Sequence, residues 1–120
     1  MKVLHPLSLA LQLKESWSPG IIARVNNHLV KLAKLEGIFV WHNHPNEDEL
    51  FYILKGSLKI QFRDKEVLLN EGEMVVIPKG VDHLPIAENP VWVMLFEPEE
   101  TLNTGNTESN LTKNNLPWLV

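Results

Sequence analysis

Residues 37–56 read GIFVWHNHPNEDELFYILKG, and both the fold and the site turn on this stretch. GIFVW is β-branched and aromatic and opens on a glycine, which predicts a strand. Residues two apart on a strand face the same way, so His42 and His44 project together, on the side shared by Ile38 and Val40. PNEDE is a proline-led polar turn. ELFYIL resumes as a strand on which Glu49 shares a face with Phe51 and Ile53, and Lys55-Gly56 closes it. If the two strands are neighbours, two imidazoles and a carboxylate can reach one point. That donor set suits Mn, Fe, Co, Ni or Zn. Glu47 and Asp48 are rival carboxylates, but they lie in the turn and read as solvent-facing.

Outward from this stretch, short β-like runs are separated by turn residues. Upstream lie IIARV, the turn Asn26-Asn27 and HLVKLAKL, which joins GIFVWHNH around Glu36-Gly37. Downstream, SLKIQFR alternates, with Leu58, Ile60 and Phe62 on one face and Lys59, Gln61 and Arg63 on the other. EVLL, MVVI, VDHLPIA and VWVMLFE follow. About eight strands with turns every 8–12 residues predict an all-β sandwich or barrel over residues 21–97. VWVMLF is apolar on both faces, so something covers its outer side. The N-terminal helix and a second copy of the chain are the two candidates, and a homodimer is expected. HPLSLALQLKES predicts a short helix over residues 5–16, too short to stand alone, and WSPG a turn. Residues 1–20 thus form a helix and a turn. Residues 98–120, rich in Asn, Thr, Glu and Pro, predict an irregular tail whose apolar end, LPWLV, can dock back.

The chain has 120 residues, the length of one domain. It is 44% hydrophobic and 22% charged, ordinary globular material. A net charge of −4 without a basic block argues against nucleic acid as a partner. Proline and serine interrupt the apolar residues near Met1, so no signal peptide is expected. No apolar run is long enough to span a bilayer, and a cytoplasmic protein is the simplest fit. With no cysteine, there is no thiolate ligand or disulfide. A metal must be held by His, Asp and Glu.

Two segments resemble the cupin superfamily. Residues 37–56 are similar to the first cupin motif: a glycine, His-x-His, four residues, a glutamate, six residues, a glycine. Four residues separate Gly37 from His42, where the family usually has five. Residues 72–87 are similar to the second motif: Gly72, five residues, Pro78, Gly80, two residues, His83. The family's usual asparagine is Ala87 here, at a position that is not a metal ligand. The 15 residues between Gly56 and Gly72 match the spacing of small stand-alone bacterial cupins, some labelled mannose-6-phosphate isomerase-like. The resemblance implies a jelly-roll (double-stranded β-helix) barrel. It implies that His42, His44, Glu49 and His83 hold one divalent transition metal ion.

Other conspicuous residues have plainer readings. Asp82 should face away from His83, and His5 and His28 lie outside the motifs. Trp41, Tyr52 and Trp92 read as packing residues, and Gly56, Gly72 and Gly80 as turn residues. A four-ligand set leaves positions open on an octahedral ion. Such an ion polarises a carbonyl, activates water or, as iron, binds oxygen. The resemblance therefore implies a metalloenzyme acting on a small polar metabolite, an isomerase, epimerase or dioxygenase. The alternative is a metal- or small-molecule-binding module without turnover. Ligation needs neutral imidazoles, so metal loss is expected below about pH 6.

Overall fold

VDHLPIA and VWVMLFE, separate runs in the sequence, form one strand that is the spine of the molecule. In the computed structural model, which describes residues 1–120, this strand, β7, runs His83–Pro98. Before it come α1 (Pro6–Ala10), β1 (Gly20–Val25), β2 (His28–Ile38), β3 (Glu49–Lys55), β4 (Leu58–Phe62), β5 (Glu66–Leu69) and β6 (Met74–Ile77). All strand pairings are antiparallel. The half of β7 from Val91 onward lies between β2 and β3. Its first residues pair instead with β4. Glu88, Asn89 and Pro90 stand opposite the single residue Glu36, because Gly37 pairs with Ala87 and Leu35 with Val91. This break in register lets one strand serve two sheets, β1-β2-β7-β3-β6 and β5-β4-β7. Pro90 brings no N–H to a ladder and fits such a break.

The inner faces of the two sheets close on each other as the all-β barrel expected from the sequence. Val91, Val93 and Leu95 of β7 meet Phe51 and Ile53 of β3 and Leu58 and Ile60 of β4 in one core. Their period of two is the cause: each strand turns every second residue inward. A smaller cluster lies outside the first sheet. There Ala10 of α1 meets Ile22 and Leu32, with Leu54, Trp92 and Met94 against them. The helix thus covers part of the second apolar face of VWVMLF. Met74 and Val76, on β6, stay about half exposed. No helix is long and apolar enough to cross a membrane.

Three expectations are corrected. There are seven strands, not eight. GIFVWHNH is not a strand of its own: β2 continues through Gly37 to Ile38. Gly37 has φ +93° and sits at a bulge rather than a turn, the extra residues lying on β7 opposite Glu36. The helix is a single turn over Pro6–Ala10 rather than 5–16, because the chain leaves it to pair Ser16 with Lys34 at the sheet. Pro6 opens that turn, and the His5 side chain accepts from Ser8 N.

Trp17, in the predicted turn, has φ +60°, a conformation costing roughly 1–2 kcal/mol for a residue with a Cβ. Its ring offsets this by being buried, stacking on Phe39 at 4.5 Å and donating from Nε1 to the Glu36 carbonyl at 2.9 Å. The tail after Pro98 is irregular and packed, with Thr101 and Thr104 buried. LPWLV docks back: Ile21 N donates to Pro117 O and Leu119 N to Ile21 O, both at 2.8 Å.

Candidate metal centre

His83 opens β7, and its backbone pairs reciprocally with His42. His42 N donates to His83 O at 3.1 Å and His83 N to His42 O at 2.9 Å. This isolated bridge is the one strand-like feature of the loop between β2 and β3, and it is enough to aim His42 inward. His44, two residues on, follows the same alternation and is anchored by Gly80 N donating to its carbonyl at 2.9 Å. Glu49 is the first residue of β3, in phase with Phe51 and Ile53, and is buried with them.

The four side chains converge. One ligand atom from each of His42, His44, Glu49 and His83 lies within 4.8 Å of all the others. An ion bonded at about 2.0–2.2 Å keeps its ligand atoms within about 4.4 Å of one another, so binding asks for a contraction of a few tenths of an ångström. His42 Nδ1 lies 2.8 Å from Val40 O and His83 Nδ1 2.9 Å from Val81 O. Those carbonyls accept only from N–H, which places the proton on Nδ1 and leaves Nε2 as the ligand atom in both rings. Both nitrogens of His44, Glu49 Oε1 and His83 Nε2 are buried without a hydrogen bond. Orphaned buried polar atoms are costly, and here they point at one another: His44 Nε2 is 3.3 Å and His83 Nε2 3.6 Å from Glu49 Oε1. A cation among them answers the deficits of His83 Nε2, Glu49 Oε1 and one His44 nitrogen, so the residues fit the ion the motifs imply.

The electrostatics agree. Burial, helped by the neighbouring His83, lowers the His42 pKa from 6.5 to about 4, so His42 is neutral and ready to ligate at ordinary pH. Burial alone would raise Glu49, but the approach of the His44 and His83 imidazoles to Oε1 outweighs it and holds this carboxyl far below its usual range. Glu97 goes the other way: burial and the Glu49 charge raise it well above a normal carboxyl, against the pull of Lys31. Their surroundings thus push the two neighbouring carboxyls in opposite directions.

The remaining sequence candidates fall outside the centre. Asp48 is exposed and accepts from Lys79 N at 2.9 Å, and Glu47 is only half-buried. Asp82 accepts from Asn43 Nδ2 at 2.8 Å and lies 3.4 Å from Arg63 Nε, a loop contact. His28 stacks on Phe96 at 5.0 Å. Trp41 packs under the Arg63 guanidinium at 3.8 Å, and Trp92 joins the outer cluster. Sequence reasoning missed Lys31, Glu97 and Trp17, which line the interior cavity with His42 and Glu49. The signal was present for two of them. Lys31 sits in the inward phase of Leu29 and Ala33, and Glu97 in that of Val93 and Leu95. A charge in an inward phase marks a buried ion.

Comparison with known proteins points the same way. The cupin domain profile matches residues 28–96, from the start of β2 to within two residues of the end of β7. YdbB of Bacillus subtilis is 42% identical over 83 residues, 68% of this chain and 74% of that one. The crystal structure of a cupin-2 domain containing protein from Shewanella frigidimarina matches with a TM-score of 0.79 at 43% identity, covering 81% of this chain and 95% of that chain. Acireductone dioxygenase 1 of Vitis vinifera is 33% identical over 86 residues, 56% of this chain but 45% of its own length. The profile covers more than half of the sequence, the barrel matches, and the two motifs meet at one buried cluster: the chain belongs to the cupin family.

Proposed function

We propose that this cupin holds one divalent transition metal ion through His42, His44, Glu49 and His83, and uses it to bind and transform a small polar metabolite. The observation that carries this reading is the set of buried, hydrogen-bond-orphaned atoms on His44, Glu49 and His83, closed by His42 within the same 4.8 Å. Fe, Mn, Ni, Co and Zn all suit such a donor set. A bound ion of this kind supplies Lewis acidity or an activated water, or takes part in oxygen chemistry if it is iron. The protein's own residues set what surrounds it. Val40 and Val81 carbonyls orient two of the imidazoles, and Trp17, Phe39 and Phe51 wall the cavity with apolar surface.

The reaction class follows less directly. The partial likeness to a protein named acireductone dioxygenase supports dioxygenase chemistry, and isomerase-like chemistry is the other member of the class. Oxygen consumption by the iron-loaded protein on candidate metabolites separates them. A second copy of the chain is the proposed cover for the outer face of β3 and β6, where Met74 and Val76 are half exposed, and the cytoplasm is the proposed compartment. The metal assignment is tested by anomalous diffraction from crystals of the purified protein at the edges of the five metals. One peak bounded by the four named side chains supports it. A peak elsewhere, or none after metal loading, overturns it.

A further inference from the structure

The metal centre leaves a charged group inside the barrel unexplained. Lys31 is 3% exposed, yet it lines the same cavity as His42 and Glu49. Its Nζ donates to Glu97 Oε2 and to the Thr101 carbonyl, each at 3.3 Å. An ammonium has three N–H donors, so one remains for a guest in the cavity. Apart from Glu97, which neighbours Glu49, and Asn103, the cavity walls around Lys31 and the metal ligands are largely apolar, Trp17, Phe39, Phe51 and Val93 among them, and charge is weakly screened in such surroundings.

The charge count then selects the guest. Lys31 and Glu97 cancel, and Glu49 cancels one of the two charges of a divalent ion. One positive charge is left over. A buried excess charge is costly unless it is paired, and an anionic guest pairs it. The enclosed part of the cavity has room for roughly three waters, the bulk of a two- or three-carbon acid. A purely structural ion pair would explain the burial of Lys31 and Glu97. It would not explain why the pair borders a cavity shared with the metal ligands, since buried pairs are replaceable by apolar residues at little cost.

Resting on the metal reading above, we propose that Lys31 is the anion-recognising residue of this cavity and that the metabolite is a small carboxylic acid. Lys31 Nζ takes the carboxylate, a hydroxyl or carbonyl oxygen of the same molecule faces the metal ligands, and the carbon body lies against Trp17 and Phe51. Glu97 competes with the carboxylate for the ammonium and so limits affinity.

Calorimetric titration of the metal-loaded protein with lactate and with neutral lactamide tests this, with metal content measured on every sample. Wild type should bind lactate at least tenfold more tightly than lactamide. The Lys31→Met/Glu97→Gln double variant should lose most of that preference while keeping its metal, the remainder coming from the uncancelled charge of the ion. Glu97→Gln alone, which frees the ammonium, should bind lactate about fivefold more tightly than wild type. The single variant carries the test if the double variant does not fold. Equal binding of lactate and lactamide by metal-loaded wild type, an undiminished preference in the double variant, or unchanged lactate affinity in Glu97→Gln overturns the Lys31 assignment alone. A wild-type protein that takes up no metal overturns the metal reading and this proposal together.

Discussion

Replacing Gly105 by alanine should loosen the metal centre from the far side of the chain. The tail crosses the loop that carries His42 and His44. Asn106 N donates to Asn43 O at 3.0 Å, Asn43 N donates to Asn106 Oδ1 at 3.0 Å, and Thr107 Oγ1 donates to Trp41 O at 2.9 Å. Gly105 is the point of closest approach. A Cβ there would lie 2.1 Å from Asn43 O, more than an ångström short of the 3.4 Å at which ordinary contact begins, and 3.2 Å from His42 Cδ2. The atom in the way belongs to the backbone between two ligands, so no flexible side chain can absorb the shift. The φ of +54° adds roughly 1–2 kcal/mol for any residue with a Cβ. Functional geometries tolerate displacements of about 0.5 Å, and disturbing the groups that orient ligands weakens metal binding about 10- to 100-fold. Gly105→Ala should therefore lose metal affinity in that range, together with about 1–3 kcal/mol of stability from overpacking. Chelator competition reads the first and urea unfolding the second. Metal affinity within threefold of wild type and an unmoved unfolding midpoint would refute the idea that the tail braces the ligand loop.

His42→Ala and His83→Ala should each drop bound metal below about a tenth of an equivalent, because a structural partner set of four loses its closure, while far-ultraviolet circular dichroism keeps its β signature. Unchanged metal content in either variant sinks its ligand assignment. In the metal-free protein the His42 imidazole should titrate with a midpoint near 4, where burial has moved it. The unfolded chain takes up that proton near pH 6.5, so the group costs nothing above that pH. Below it the folded state loses stability, by about 3 kcal/mol once pH 4 is reached. An NMR midpoint at or above 6 would show that burial does not govern this imidazole. Light scattering after size exclusion should give the mass of two chains, and a monomer at micromolar concentration removes the proposed partner for Met74 and Val76. Ile60→Ala, at a fully buried core position, should cost about 2–5 kcal/mol in urea unfolding, and a loss below 1 kcal/mol would mean the barrel interior is not close-packed there.

The barrel was legible because its inward positions are apolar with a period of two. Leu58 and Ile60, and Val91, Val93 and Leu95, needed no partner information to be placed inside. The four ligand residues were legible because their spacing recurs in a known motif. Strand limits were less so. A bulge at Glu36-Gly37 and a turn at the same place have the same composition, and only the pairing of Gly37 with Ala87 tells them apart. The helix was overestimated because Leu11 to Glu15 favour a helix locally, yet the tie between Ser16 and Lys34 draws the chain off. Lys31 and Glu97 were passed over for another reason. Composition presents them as two surface charges, and their meaning depends on diagonal proximity across β2 and β7, where Leu29 faces Glu97 and Lys31 faces Leu95. The grip of the tail on Asn43 was illegible, since contacts between residues more than 60 apart leave no local pattern.

The central claim is that His42, His44, Glu49 and His83 hold one metal ion. Elemental analysis of the purified protein, before and after loading with each of Fe, Mn, Ni, Co and Zn, tests it most directly. The expected result is one ion per chain with at least one of these metals, lost in His83→Ala. Less than a tenth of an equivalent with every metal, in a folded wild-type protein, would contradict it.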